Sequence, residues 1–414
     1  MTPNEARPKV RGQRSRQSTW IAGLAWLLVA AARSGAAQIA PADSNSLGVW
    51  LMTIGPGDQV WERFGHNAIR IRDSRTGDDK VYNWGMFSLD DSGFILRFLR
   101  GRMRYWMASE DAALTAEAYR QHNRSVTIQE LNLTGAQKVA LYEFVQRNEL
   151  PENRFYDYDY FRDNCSTRVR DALDAALGGI LATQFRDKAT DMSYRDHARR
   201  LMQPDIWTYT GIDIGLGRPT DRKITAWEEM FVPMSLQRLI RDVKIKNAMG
   251  ADVPLVVNER VVVETNRPPI PDRPATWTIW YLLAGALIAA GILACVLTRA
   301  EPVAYAMAHV WCTVAGLLGT VLLLLWVATE HVAAHQNANL LSLNPLWLVL
   351  GGMAMVRSRK ARALALVLTG IAFLGVLLWL LPNQQDTRRV LALVLPIHTA
   401  VMLTIARRVR LVPR

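Results

Sequence analysis

A chain of 414 residues, half of them hydrophobic and 21% charged, is long enough for two domains, each with a core of its own. The average hides a division, because charged residues crowd the first two thirds while Leu, Ala, Val, Gly and Trp fill the last third. The net charge of +12 is partly a signal of membrane topology, and the soluble part reads as exported, so no nucleic-acid partner is expected.

Residues 1–37 read as a signal peptide. Arg7, Lys9, Arg11, Arg14 and Arg16 make a positive start, residues 20–32 are uncharged and apolar, and Ser34, Gly35, Ala36 and Ala37 supply small residues for cleavage. Retention as an uncleaved anchor is the alternative; in both cases the next domain, 38–265, lies outside the cytoplasm. Within it, residues 47–54 look like a buried strand ended by Gly55-Pro56-Gly57. Residues 66–72 and 80–84 look like a hairpin, with His66 on a sheet edge, and 123–131 like a further strand. Helices are expected at 135–149 with Thr134 as N-cap, at 165–177, and around 193–202, the last on the surface. A final hairpin near 254–264 leads into a proline-rich stretch, 266–275, expected as a stiff extended linker. The domain class is α+β.

From residue 276 the pattern becomes that of a membrane domain reaching to 414. Apolar runs cover 276–298, 302–329, 340–356, 363–381 and 390–406, close to the length a helix needs to cross the hydrocarbon, and the third and fifth are the shortest. Basic residues follow the first, third and fifth runs at Arg299, Arg357–Arg362 and Arg407–Arg414. These share one side only if all five segments cross, and the positive-inside rule makes that side cytoplasmic. A bacterial inner-membrane protein with a periplasmic domain and a cytoplasmic C-terminus follows.

Cys165 is the one cysteine of the exported domain; Cys295 and Cys312 fall inside apolar runs. An unpaired thiol is most simply a small buried hydrophobe, but its setting suggests reactivity. Asp163 or Asn164 can cap a helix whose first turn carries Cys165, where free N–H groups and the helix dipole favour a thiolate. A cysteine nucleophile needs a base. His122 and His197 read as solvated, the latter among Arg195, Arg199 and Arg200, whereas His66 opens a strand after Phe64-Gly65. Its alternative reading is a strand-end histidine without a catalytic role.

The segments Gly65-His66-Asn67-Ala68-Ile69-Arg70-Ile71, Tyr82-Asn83-Trp84-Gly85-Met86-Phe87 and Asp163-Asn164-Cys165-Ser166-Thr167 resemble the Lnb-type lipoprotein N-acyltransferases. More distantly, the order of His before Asn-Cys resembles the permuted branch of the NlpC/P60 superfamily. The resemblance implies a permuted papain-like exported domain followed by an all-α five-helix membrane domain. It also implies transfer of a fatty acyl chain from a phospholipid to the N-terminal amine of a diacylglyceryl-cysteine lipoprotein, with no cofactor. Cys165 takes the place of the nucleophile and His66 that of the base. The third position falls to Asn83, with Tyr82 competing. Asn164, Tyr82 and Tyr160 are expected as oxyanion or supporting groups. A cell-wall amidase or endopeptidase, or a phospholipase, of the same fold is the alternative.

Residues 94–106 interleave apolar and basic side chains, so Arg97, Arg100, Arg102 and Trp106 are candidates for lipid contact; a packed amphipathic helix is the plainer reading. The polar loop after the second run offers His331, Asn337 and Asn339 as lipid or substrate contacts. Glu330, His331 and His335 lack a fourth ligand, so no metal site is expected.

Overall fold

A computed structural model describes residues 43–247, 249–354 and 358–410; the signal peptide expected over 1–37 lies outside them. In chain order the first elements are β1 (Leu47–Ile54), β2 (His66–Asp73), β3 (Asp79–Met86), α1 (Phe94–Arg100), β4 (Arg104–Asp111), α2 (Ala112–Gln121), β5 (Val126–Leu131), α3 (Gly135–Glu149), β6 (Phe155–Asp157) and α4 (Cys165–Ala176). There follow α5 (Ile180–Phe185), β7 (Ala189–Ser193), α6 (Tyr194–Met202), α7 (Ile206–Gly215), β8 (Lys223–Thr225), α8 (Ala226–Glu229), α9 (Pro233–Ile240), β9 (Lys244–Lys246), β10 (Asp252–Pro254) and β11 (Val256–Val263). The apolar third holds α10 (Thr278–Leu297), α11 (Glu301–Val327), α12 (Leu346–Ala354), α13 (Arg359–Trp379) and α14 (Arg388–Arg410).

One antiparallel sheet organises the head, in the order β11-β5-β1-β2-β3-β4-β6. β1 is apolar on both faces because both are covered. Leu47, Val49 and Leu51 join the core beneath α3 and α4, while Met52 and Ile54 pack toward α2. The helix caps are those the sequence supplies: Thr134 accepts from Gln137 at the start of α3, and Asn164, not Asp163, caps α4.

Three local expectations need correction. His66 does not sit on an edge; it opens β2, flanked by β1 and β3 in mid-sheet. The final hairpin is absent: β10 pairs with β9, and the chain switches at Leu255, whose N–H donates to Val243 while its carbonyl accepts from Asn132, so that β11 pairs with β5. Helix α6 is not a surface helix, and His197 is fully buried with Arg195 and Arg199. Their charges are matched by Asp213, Asp221 and Asp386, which lie far along the chain where local periodicity reveals nothing. The 266–275 stretch is laid along the head rather than spanning free space: Arg267 holds Asp58, and Pro271 accepts from Arg200.

Among the described residues four helices, α10, α11, α13 and α14, are long and apolar enough to cross a membrane. The third apolar run is helical only from Leu346 in α12, preceded by a single 3-10 turn over Ala338–Leu341. Pro345 removes a backbone donor at that point, and the stretch ahead of it is buried against protein, which is where irregular backbone at membrane depth is tolerated. α12 still runs antiparallel along α11. Gly319 meets the Leu343 carbonyl, Gly316 meets Leu348, and His309 Nδ1 lies 3.0 Å from the Gly351 oxygen. A Cβ at Gly316 would stand 2.4 Å from the Leu348 nitrogen, so glycine sets this close crossing.

Head and bundle are joined by polar contacts. Gly217 N–H donates to the Ala333 carbonyl at 2.7 Å, Gln385 Nε2 to Leu216 at 3.1 Å, and Arg199 Nη1 pairs with Asp386 at 2.7 Å. Asn337 and Asn339, expected to face lipid or substrate, are each 1% exposed and give their amide protons to the Ile214 carbonyl at 2.8 and 3.0 Å. They staple the loop to α7.

Candidate active site

The site grows from the start of α4. Asn164 Oδ1 accepts from the N–H groups of Ser166 and Thr167 at 2.9 and 3.0 Å, and Thr167 Oγ1 accepts from Asn164 N–H at 2.8 Å. Asn164 Nδ2 in turn donates to the carbonyls of Tyr160 and Phe231, both at 3.0 Å. The Asn164 side chain is thereby fully used in fixing the turn, with Cys165 left at the first helical position.

A buried network ties this turn to the histidine strand. Ser166 Oγ lies 2.7 Å from Asn67 Oδ1 and 2.5 Å from the Met230 carbonyl, and Asn67 Nδ2 donates to Thr53 Oγ1 at 2.8 Å. Asn67 and Ser166 have no solvent exposure. The backbone N–H of Asn67 is among the groups that favour the Cys165 thiolate, and the Ser166–Asn67 bond seats the start of α4 beside the residue that follows His66. Gly85, at φ +91°, backs it: a Cβ there would lie 3.5 Å from Cys165 Cβ. Only a glycine adopts that backbone without strain.

His66 Nε2 lies 3.0 Å from Asn83 Oδ1. β2 and β3 pair Ala68 with Asn83, so Asn83 shares His66's face of the sheet. Tyr82 has the opposite parity. It is buried in the core, where Gln146 Nε2 donates to its hydroxyl at 2.5 Å, so it does not compete for the third place. Arg124, 5% exposed, closes the same end of the sheet, donating to the Gly55 carbonyl at 3.0 Å and to Glu62 at 3.2 Å.

Electrostatics overturn one expectation. Burial pushes the Cys165 thiol up from its ordinary value, and the N–H groups of Asn67 and Ser166, with Arg124, only partly offset it. Burial also lowers His66 to about 4; the Asn83 hydrogen bond opposes this, and Arg124 adds to it. The helix start therefore does not deliver a resting thiolate, because desolvation outweighs it. The resting pair is a neutral thiol and a neutral imidazole. Alkylation tracks the thiolate, so the rate of Cys165 modification by iodoacetamide is expected to climb steadily from about pH 6 to about pH 9. Intact-mass kinetics on the variant lacking Cys295 and Cys312 measures it, and a plateau below about pH 7 would refute the neutral pair.

An aromatic wall leads away from the thiol. Tyr158 stacks on Tyr105 at 4.3 Å, Phe87 stacks on Tyr105 at 5.2 Å and on Phe94 at 5.7 Å, and Tyr160 stacks on His331 at 6.1 Å. Residues 94–106 are not one helix: α1 ends at Arg100, capped by Gly101, and β4 begins at Arg104. Arg97 pairs with Asp91, Arg102 meets Glu330 at 2.6 Å, and Arg100 stays exposed while its carbonyl accepts from Glu330 N–H at 2.8 Å. Gly101, at φ +80°, packs so tightly on the loop that a Cβ would come within 2.6 Å of His331 N. Trp106 lies apart from this wall, its ring 6.2 Å from Phe155. Ile95, Leu96 and Leu99 of α1 are exposed, as are Val60 and Trp61 in the β1–β2 connection.

Sequence reading missed Asn67, Ser166 and Arg124. The first two stand inside the quoted motifs, but as neighbours of Cys165 and His66 they carry no separate signal. Arg124 sits in a polar connection that nothing local distinguishes.

Fold and site together define a membrane protein whose α+β head carries a cysteine, a histidine and an asparagine at one end of its sheet. Residues 36–200 match the Lnb N-terminal periplasmic domain and residues 276–409 the Lnb transmembrane domain. The chain belongs to the Lnb family of lipoprotein N-acyltransferases. Neither the comparison with curated proteins nor that with solved structures returns a match.

Proposed function

We propose that this protein moves a fatty acyl chain from a membrane phospholipid to the N-terminal amine of diacylglyceryl-cysteine lipoproteins through a thioester on Cys165. The observation that carries the reading is the seat of the Cys165 helix on the histidine strand, Ser166 lying 2.7 Å from Asn67, with His66 bound to Asn83. In the first half, His66 takes the thiol proton as sulfur attacks the ester carbonyl, then gives it to the departing lysophospholipid oxygen. In the second half, the neutral amine attacks the thioester, and His66 passes its proton to the leaving sulfur. Asn83 orients the imidazole. The Cys165 N–H, at the first helical position, is the oxyanion donor of this scheme, since Asn164 already engages those of Ser166 and Thr167. Asn164 and Tyr160 are supporting groups, joined to each other through the Tyr160 carbonyl.

The exposed apolar residues of α1, bound to the loop at Glu330 and His331, support access from the bilayer, with Arg97, Arg100 and Arg102 near anionic headgroups. Mass spectrometry of lipoprotein N-termini in cells with and without this protein tests the reaction. N-acylation that persists in its absence, where no second acyltransferase operates, would refute it.

The orientation belongs to the same reading: the head in the periplasm, the C-terminus in the cytoplasm, and all five apolar segments crossing. The antiparallel run of α12 along α11 supports this. Periplasm-active reporters fused after Asp272 are expected to work and those after Arg359 to fail. Activity after Arg359 would overturn the five-crossing topology.

A further inference from the structure

A cavity of about 150 Å³ lies at one end of the helix bundle, beneath α7. Arg389, second residue of α14, and Tyr281, in the first turn of α10, line it, so one end of it lies where the bundle meets the head, and Trp311 marks its deeper end. Trp277 and Trp280 flank the same turn of α10, as aromatic residues do at a membrane interface. Its walls are Val314, Leu318, Leu393 and Val394.

Two of the lining residues present a buried N–H with no hydrogen-bond partner: Arg389 Nε and Trp311 Nε1. Arg389 is 5% exposed, and its other nitrogens are spent on Asp386 and on the Ala275 carbonyl. The one carboxylate lining the cavity, Asp213, is taken by Arg195 and Arg199. What remains unpaired among these groups is donor-only. A buried donor without an acceptor is costly, and most of the remaining lining is apolar. The missing partner therefore combines an acceptor oxygen with an apolar tail, at interfacial depth.

We propose that this cavity binds a fatty-acyl ester of a glycerolipid. Its carbonyl accepts from Arg389 Nε–H or Trp311 Nε1–H, and its first methylenes lie along Val314, Leu318, Leu393 and Val394. A phospholipid and the diacylglyceryl group of a lipoprotein both carry this chemistry. The choice between those sources rests on the acyl-transfer reading, whereas the site itself does not.

Native mass spectrometry of the full-length Cys165→Ala protein in mild detergent tests it, with phosphatidylethanolamine and a synthetic diacylglyceryl-cysteine peptide offered separately. Trp311→Phe keeps the ring and removes one donor, and about fivefold weaker binding is expected, the worth of one hydrogen bond. Leu318→Trp fills the cavity, and about tenfold less bound lipid is expected from the lost volume. Unchanged thermal unfolding shows that each variant is folded. Losses seen with phosphatidylethanolamine assign the site to the phospholipid, and losses seen with the lipopeptide assign it to the acceptor. Equal adducts in the parent and both variants would overturn the site. Failure of acyl transfer in the wild-type protein, with lipid binding intact, would instead sink the reaction and leave the site standing.

Discussion

Cys165→Ala is expected to abolish formation of a hydroxylamine-sensitive fatty acyl adduct when the purified protein meets phospholipid. The reason is atomic: on the thioester reading the sulfur is the nucleophile, and the adjacent hydroxyl is not free to replace it. Ser166, the adjacent candidate, holds its oxygen 2.7 Å from Asn67 and 2.5 Å from the Met230 carbonyl, inside the network that seats the helix. Cys165→Ser keeps the shape but offers a hydroxyl that a base titrating near 4 activates poorly, so a loss of about a thousandfold or more is expected. His66→Ala removes the proton carrier, and because burial holds the thiol protonated, it should cost nearly as much as losing the sulfur. Mass spectrometry of the intact protein reads all three. A protein that cleaves peptidoglycan peptides through Cys165, yet forms no acyl adduct with phospholipid, would establish the amidase reading instead. Lipoprotein N-acylation that survives Cys165→Ala would overturn the thioester outright.

Asp213→Ala is expected to be the most destabilising single substitution outside that site, by about 3–5 kcal/mol. Asp213 is 3% exposed and lies 3.2 Å from Arg195 Nη1 and 2.5 Å from Arg199 Nη2, two guanidinium groups with essentially no access to water. Removing the carboxylate leaves two buried cations with one carboxylate partner each, Asp221 and Asp386. Breaking a buried pair from one side is costly because the remaining charge stays desolvated. Asp213→Asn, which keeps an acceptor oxygen, should cost less. Thermal unfolding in detergent measures the difference; an effect below about 1 kcal/mol would mean that Arg195 and Arg199 are satisfied without it.

Those same arginines mark where sequence reading stops. The strand at 47–54 and the helix at 135–149 emerge with the expected bounds, because each is specified by its own apolar pattern and, for the helix, by a cap at Thr134. Residue type and position single out Cys165 and His66, whereas Asn83 enters only through the family resemblance, with Tyr82 beside it. Arg195, His197 and Arg199 read as solvated because their partners lie on α7, on the Asp221 turn and before α14. Charge compensation across such distances leaves no local trace. Asn337 and Asn339 misled in the same way: polar side chains beside apolar runs suggest water or lipid, and here they satisfy carbonyls at the end of α7. The short α12 was marked in the sequence by Pro345, whose effect the hydropathy of the run conceals.

The protonated state of Cys165 has a consequence for survival in an oxidising compartment. Oxidation to sulfenic acid and beyond proceeds through the thiolate, and the early steps are reversible only with a reducing partner. No second cysteine of the head stands ready to resolve a sulfenate, since Cys295 and Cys312 both lie on helices of the bundle. On the thioester reading, a thiol kept neutral by desolvation until an ester carbonyl arrives is poorly reactive toward peroxide in the interval between turnovers. Durability here comes from the same burial that makes the imidazole necessary.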